Sequence, residues 1–137
     1  MPTRVYADTS AVAKLFIAER ESSDLRQWLA GLSKPQLVSS ALLAVELLRL
    51  LRFVNPDTVT PAEQFLAADV DIVEITPPTL GDAITVPPPQ LRTLDAIHLA
   101  TALDLGDSVE ILLTYDKLLI EAARAIGLTV AFPGASY

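Results

Sequence analysis

Residues 4–16 read RVYADTSAVAKLF, and this stretch predicts how the rest of the chain is arranged. Val5 to Ala7 form a short apolar run that is typical of a buried strand, and Asp8 ends that run. From Ser10 onward the apolar residues recur at helical spacing. Asp8 is therefore predicted to lie at the carboxyl end of a strand. Ligands of open parallel α/β sheets bind outside these strand ends, so Asp8 is a candidate site residue.

The composition predicts a single domain with a dense core. The chain has 137 residues, of which 51% are hydrophobic and 20% are charged, and it contains no cysteine, which excludes disulfides and thiolate metal sites. No apolar run reaches the roughly 18 residues of a membrane span, and MPTR leads straight into the first predicted strand. We therefore expect a cytoplasmic protein without a signal peptide or a membrane segment.

The net charge of -7 argues against general binding to nucleic acid, because affinity for phosphates comes from lysine and arginine. The net charge does not exclude a local binding site for phosphate. An acidic protein that handles phosphate needs a cation to offset the repulsion, and a bound divalent ion would do this.

Apolar runs of strand length alternate with helix-like segments along the chain. This alternation predicts a three-layer α/β/α fold with a parallel sheet of about five strands, joined by right-handed crossovers. The first and fourth strands are expected to be neighbours, because we expect the strand order to reverse at the first strand. The predicted strands are 5–7, 37–38, 72–75, 109–114 and 128–132, and the predicted helices are 10–16, 24–32, 40–53, 61–68, 77–83, 94–105 and 117–126.

Several helix boundaries carry local signals. Residues 55–61 are predicted to form a loop. The sequence TPAE at 60–63 matches a capping box with proline at the first helical position, and a helix is predicted to follow. Thr93 is expected to cap the helix that Gly106 ends, and Asp116 is expected to open the helix after the fourth strand.

Four carboxylates stand at positions where a solvated surface residue is not expected. Asp8 and Asp116 follow predicted strands, although each could simply cap the helix after it. Asp95 lies in the first turn of a helix, where the helix dipole alone favours a negative charge. Glu46 has leucines at helical spacing around it, and pairing with Arg49 explains it about as well as a site role does.

These four acids are expected to meet at one edge of the sheet. Neighbouring first and fourth strands would place Asp8 beside Asp116, and the helices that carry Glu46 and Asp95 can flank that point. Crowded carboxylates repel each other unless a proton or a cation is present. Because every donor is an oxygen, the cation is expected to be Mg²⁺ or Mn²⁺.

Five segments, spread over nearly the whole chain, carry a family pattern. They are YADTSAVAKLF at 6–16, SSALLAVELLR at 39–49, LRTLDAIHLATAL at 91–103, LLTYDKLLIEAARAIGL at 112–128 and FPG at 132–134. Together they resemble PIN-domain nucleases of the VapC-like toxin family. Residues 54–89 carry little of this resemblance.

The resemblance implies a Mg²⁺- or Mn²⁺-dependent endoribonuclease with the PIN-like fold. Such proteins are toxins of type II toxin–antitoxin systems. An RNA substrate, a VapB-like antitoxin bound in a groove beside the site, and a homodimer are therefore implied as partners. The residues that match the family's acidic quartet are Asp8, Glu46, Asp95 and Asp116.

Within that quartet we expect the three aspartates to bind the metal directly, and Glu46 to bind through water or to orient the nucleophile. The metal would lower the pKa of a bound water and neutralise charge on the phosphate, so that hydroxide attacks an RNA phosphodiester bond. Ser10 and Thr114 are candidates for holding the carboxylates in place, although both could be ordinary cap residues.

Three basic residues lie close in sequence to the quartet and are candidate phosphate contacts. They are Lys14, Arg92 and Lys117, and a solvated charge explains each of them at least as well. His98 lies one helical turn after Asp95. Between its apolar neighbours it is expected to be a packed residue with one satisfied ring nitrogen, not a catalytic group.

The run from Leu42 to Leu51 is apolar on more than one helical face. This pattern predicts either complete burial or a surface for a partner, which would be a second copy of the chain or an antitoxin helix.

Two other functions fit parts of the sequence. A non-catalytic PIN-like module would act through protein contacts alone. A receiver-type phosphoacceptor domain also has aspartates at strand ends and binds Mg²⁺. It would need an acidic pair after the first strand and a lysine after the fifth, where this chain has Asp8 alone and Phe132-Pro133.

Overall fold

A five-stranded parallel sheet runs through the computed structural model, which describes residues 2–137. Its strands are β1 (Arg4–Ala7), β2 (Gln36–Ser40), β3 (Val70–Val73), β4 (Ile111–Leu113) and β5 (Val130–Ala131). They lie in the order β3-β2-β1-β4-β5, and every neighbouring pair is parallel. The predicted pairing of the first and fourth strands, with the reversal of order at β1, is confirmed.

Helices cover both faces of the sheet. They are α1 (Thr9–Val12), α2 (Ser22–Ala30), α3 (Leu42–Val54), α4 (Val59–Asp69), α5 (Pro77–Thr85), α6 (Thr93–Leu105) and α7 (Lys117–Ala125). Because side chains alternate along a strand, Val5 and Ala7 pack against α1 to α4 while Tyr6 packs against α6 and α7. The predicted three-layer α/β/α fold is confirmed.

The segment that follows α3 differs from its prediction. Residues Pro56–Thr58 form a 3₁₀ turn and α4 already begins at Val59, so Thr60 lies inside the helix and the predicted capping box is wrong. Pro61 is tolerated there because the first four N–H groups of a helix have no intrahelical partner. The third strand lies at Val70–Val73, earlier than predicted, because it starts directly after α4.

Other helix boundaries agree with their local signals. The Asp116 side chain accepts a hydrogen bond from the Leu119 N–H and opens α7 as predicted. Gly106 ends α6 with a φ of 54°, a conformation that favours glycine. Thr93 is the first residue of α6 and Arg92 takes the cap position without a side-chain hydrogen bond, so the prediction of a Thr93 cap is wrong.

One face of α3 is buried and the other is open to solvent. Leu43, Leu47 and Leu51 belong to the core, whereas Val45 and Phe53 are exposed. The surplus apolar character read from the sequence therefore belongs in part to an outer surface. None of the helices in residues 2–137 is long and apolar enough to cross a membrane.

Candidate active site

A small cavity opens at the carboxyl edge of the sheet, where the strand order reverses. Its volume is about 170 Å³. A larger cavity of about 430 Å³ lies between α5 and α6, but its lining is mostly apolar and includes no acidic side chain. The small cavity is therefore the candidate site, and its lining residues are Asp8, Thr9, Ser10, Glu46, Arg92, Asp95, His98 and Asp116.

Asp8 is the most deeply buried of the acids and is held by three donors. It follows β1 and caps α1, where its carboxylate accepts from the Ala11 N–H at 3.2 Å. The Ser10 hydroxyl donates to it at 2.7 Å and the Thr114 hydroxyl at 2.6 Å. Burial raises the pKa of Asp8, and the hydrogen bonds from Thr114 and Ser10 offset part of that rise.

The same two hydroxyls tie Asp8 to the segment after β4. The Ser10 oxygen accepts from the Tyr115 N–H at 2.9 Å, and the Thr114 oxygen accepts from the Asp116 N–H at 3.1 Å. Each hydroxyl thus donates to Asp8 and accepts from the backbone of the β4–α7 connection. The relative positions of Asp8 and Asp116 are fixed by this arrangement.

Asp116 and Asp95 face each other across one arginine. One oxygen of Asp116 accepts from the Leu119 N–H at 2.9 Å, and its other oxygen pairs with the Arg92 guanidinium. Arg92 Nε donates to Asp95 Oδ2 at 3.0 Å. Burial raises the pKa of Asp95 because it disfavours the ionised form, and the nearby negative charge of Asp116 raises it further by repulsion.

Glu46 is held by a buried hydrogen-bonded chain that begins in the core. Thr9 Oγ1 donates to Glu46 Oε1 at 2.8 Å, and His98 Nε2 lies 2.7 Å from the same oxygen. On its other side, His98 Nδ1 lies 2.8 Å from the Tyr6 hydroxyl. His98 therefore has both ring nitrogens bonded, and the prediction of one satisfied nitrogen is wrong.

The chemistry of the partners fixes the direction of this chain. Burial raises the pKa of Tyr6, so its hydroxyl stays protonated and donates to His98 Nδ1. His98 Nε2 then carries the hydrogen and donates to the Glu46 carboxylate. Burial alone would raise the pKa of Glu46, but the hydrogen bonds from His98 and from the Thr9 hydroxyl hold it below its usual value.

Comparison with known proteins identifies the family of the chain. Residues 5–125 match the model of the PIN domain family. Ribonuclease VapC35 of Mycobacterium tuberculosis (strain H37Rv) is 42% identical over 132 residues, which cover 95% of this chain and 97% of that protein. The chain belongs to the PIN-domain family of VapC ribonucleases.

Solved structures of a VapC toxin and of a chain from a toxin–antitoxin complex have the same fold. Mycobacterium tuberculosis VapC20, described as a sarcin-ricin loop cleaving toxin, aligns with a TM-score of 0.70 at 18% identity over 94% of this chain and 99% of VapC20. A chain of a toxin–antitoxin complex from Klebsiella pneumoniae aligns with a TM-score of 0.68 at 20% identity over 94% of this chain and 97% of its own length. The observed strand order, β3-β2-β1-β4-β5, rules out the receiver-type alternative, whose strand order would be 2-1-3-4-5.

Of the three basic residues proposed as phosphate contacts, only Arg92 lines the VapC cavity. Lys14 is buried, and its ammonium lies 2.9 Å from Glu21 and 4.6 Å from the centre of the Tyr115 ring. Lys117 is exposed at the start of α7 and is absent from the cavity lining. The structure thus brings one of the three predicted cations to the acids.

Arg92 supplies the positive charge that the crowded acids need. Within residues 2–137, no three Asp, Glu or His side chains lie close enough together to enclose a metal ion as they stand. The Arg92 guanidinium lies between Asp95 and Asp116, and its side chain is 72% exposed, so it can move away into solvent. The acids offer only oxygen donors, which suit Mg²⁺ or Mn²⁺ once the guanidinium has moved.

The sequence patterns did not identify two residues that contribute to this VapC site. Tyr6 was read only as part of a buried strand, and Thr9 was overlooked beside Asp8. A signal for Tyr6 was present, because a tyrosine in an otherwise apolar strand needs a partner for its hydroxyl. No such signal existed for Thr9, whose hydroxyl donates a hydrogen bond to Glu46, 37 residues away in sequence.

Proposed function

We propose that this chain is a divalent-metal-dependent endoribonuclease that acts as the toxin of a toxin–antitoxin pair. The observation that carries the proposal is the convergence of four carboxylates from different elements on one small cavity at the carboxyl edge of the sheet. The family membership and the ribonuclease name of VapC35 support the same chemistry.

Asp8, Asp95 and Asp116 would hold the metal, Mg²⁺ or Mn²⁺, and Glu46 would contact it through water. When bound, the metal supplies a water of lowered pKa and offsets the charge that builds up on the phosphate. The raised pKa values of Asp8 and Asp95 support such a site, because a cation among these acids would relieve the cost of ionising them.

The remaining side chains of the cavity have positioning roles in this proposal. Ser10 and Thr114 hold the Asp8 carboxylate in place by hydrogen bonds. Tyr6 orients His98, and the hydrogen bond from His98 to Glu46 Oε1 keeps the Glu46 carboxylate ionised and fixes its orientation. The ionised Glu46 can then orient the attacking water or accept its proton.

We propose RNA as the substrate and a VapB-like antitoxin as the partner, with the toxin itself forming a homodimer. The ribonuclease relative supports the substrate class. The structural similarity to a chain of a toxin–antitoxin complex supports the antitoxin. Exposed apolar side chains such as Ile84, on the rim of the cavity between α5 and α6, offer surface for protein contacts.

Incubation of the purified chain with total RNA tests the proposal. We expect cleavage with Mg²⁺ or Mn²⁺, mapped to defined ends, and intact RNA in the presence of a chelator. Asp116→Asn should leave RNA intact under both conditions. Saturating Mn²⁺ should also raise the melting temperature of the wild type by roughly 10 °C, since a ligand at a hundredfold excess over its Kd adds about 2.7 kcal/mol.

Intact RNA together with a melting temperature that does not respond to Mn²⁺ would contradict the nuclease. That outcome would favour the non-catalytic PIN-like module, which needs neither metal nor RNA.

The buried chain from Tyr6 to Glu46 gives a separate prediction. Tyr6→Phe leaves the ring in place but removes the donor to His98 Nδ1, so the hydrogen on Nε2 is no longer fixed. We expect cleavage to fall about tenfold and the free energy of unfolding to fall by about 1–2 kcal/mol. Tyr137→Phe is the matched control, because the Tyr137 hydroxyl bonds only the Tyr115 carbonyl in the described residues. Equal activity of Tyr6→Phe and the wild type would remove the positioning role.

A further inference from the structure

The outer face of α3 carries a cationic and aromatic strip that starts beside the acidic cavity. Glu46, Arg49 and Phe53 are separated by three and seven residues, so they lie on the same side of the helix. Phe53 is about 10 Å farther along the helix axis than Glu46. Arg52 flanks this line, and Arg49, Arg52 and Phe53 together line a shallow cavity of about 330 Å³.

The strip has none of the usual internal partners. The Phe53 side chain is 88% exposed, and Leu43, Leu47 and Leu51 already carry the core contacts of α3. Among residues 2–137, no carboxylate lies within 4.0 Å of the Arg49 or Arg52 guanidinium. Two free arginines around an exposed phenyl ring, in a chain of net charge -7, need an explanation outside the fold.

The chemistry of the strip fits a single RNA strand better than it fits a protein surface. Single-stranded nucleic acid is bound by cations along its phosphates and by aromatic rings that stack on unpaired bases. A purely apolar partner would leave both guanidiniums without a counter-charge. The strip also continues from the cavity that holds the four carboxylates, so one strand can reach both.

We propose that Arg49, Arg52 and Phe53 bind the substrate RNA next to the cleavage site, with the guanidiniums on phosphates and the Phe53 ring stacked on an unpaired base. This inference rests on the proposed ribonuclease function. It assigns a phosphate contact to Arg49, which sequence reasoning had considered only as an ion-pair partner of Glu46.

Binding of a labelled single-stranded RNA in chelator, where no cleavage occurs, tests the strip. For Arg49→Ala combined with Arg52→Ala we expect about tenfold weaker binding and a smaller dependence on salt, by about 1.4 units of the logarithmic slope for two lost phosphate contacts to a single strand. Phe53→Leu should bind about fivefold more weakly, whereas Phe53→Trp, which keeps a stacking face, should bind as the wild type does.

Two substitutions elsewhere on the surface serve as matched controls. Lys34→Ala removes an exposed charge before β2, at the amino end of the strands, and Leu103→Ala removes an exposed apolar side chain from α6. Neither should alter RNA binding. Melting curves of all variants should match the wild type, because the three strip residues are exposed.

The outcomes separate the strip from the nuclease. A wild type that cleaves RNA, with strip variants that bind and cleave RNA equally well, would overturn this inference and leave the proposed function standing. Unchanged RNA binding together with altered self-association of Phe53→Leu in sedimentation would also overturn it, and would make the strip a contact between copies. A wild type that neither binds nor cleaves RNA would overturn the proposed function and the strip together.

Discussion

Replacing Asp8 with asparagine is expected to abolish RNA cleavage while making the metal-free protein more stable at neutral pH. The carboxylate is buried at the centre of the proposed metal site, and asparagine has nearly the same shape but no charge. We expect the cleavage rate to fall by at least about 10³-fold, in the range found when a principal catalytic group is removed. Mn²⁺ should also lose most of its effect on the melting temperature.

The gain in stability follows from the direction of the pKa shift. Burial raises the pKa of Asp8 in the folded chain above its ordinary value. The stability that the neutral carboxyl contributes is therefore complete below the unfolded pKa, near 4, and is lost as the pH rises through the folded pKa. Asp8→Asn carries no such cost, so its advantage over the wild type should grow with pH in that window and then stay constant.

Melting curves between pH 4 and pH 8 in chelator measure this difference, with roughly 4 °C for each kcal/mol in a domain of this size. Asp71→Asn is the control, since it removes an exposed carboxylate on β3 that is remote from the cavity. It should cleave RNA normally. An Asp8→Asn protein that cleaves at the wild-type rate, or that becomes relatively less stable as the pH rises, would contradict the assignment.

The positions of the four acids could be predicted because they depend on topology. The alternation of strands and helices fixes a parallel sheet, and all strands of such a sheet end at the same edge. Asp8 directly follows β1 and Asp116 comes three residues after the end of the neighbouring β4, so their proximity required only the strand order. Glu46 and Asp95 were placed less directly, from the helices that flank the reversal of that order.

The hydrogen-bond partners of the acids could not be predicted in the same way. His98 meets Tyr6 across 92 residues of sequence and Glu46 across 52, and these contacts depend on how α6 packs under the sheet. Lys14 lies close in sequence to Asp8, yet its side chain is directed to Glu21. Sequence spacing gives the position of a residue on an element, but the direction of a long side chain is decided by packing.

Replacing Arg92 with alanine is expected to have large and opposite effects: tighter binding of the metal and slower cleavage of the substrate. In the metal-free protein its guanidinium lies between Asp95 and Asp116, where it competes with any cation that these acids bind. Two exposed ion pairs together contribute roughly 1 kcal/mol, which corresponds to about a fivefold change in affinity. For Arg92→Ala we therefore expect the Mn²⁺ concentration at half-maximal thermal stabilisation to fall about fivefold.

The same substitution is expected to lower the cleavage rate at saturating Mn²⁺ by about 10²-fold. Once a metal holds the acids, the freed guanidinium is at the rim of the cavity and can donate to the phosphate, and losing one such donor typically has an effect of this size. Arg92→Lys should recover only part of the rate, because an ammonium cannot make two parallel contacts. Arg4→Ala breaks a comparable pair with Asp71 at the far edge of the sheet and should change neither quantity. If Arg92→Ala needed more Mn²⁺ than the wild type, Arg92 would be organising the acids for the metal, not competing with it.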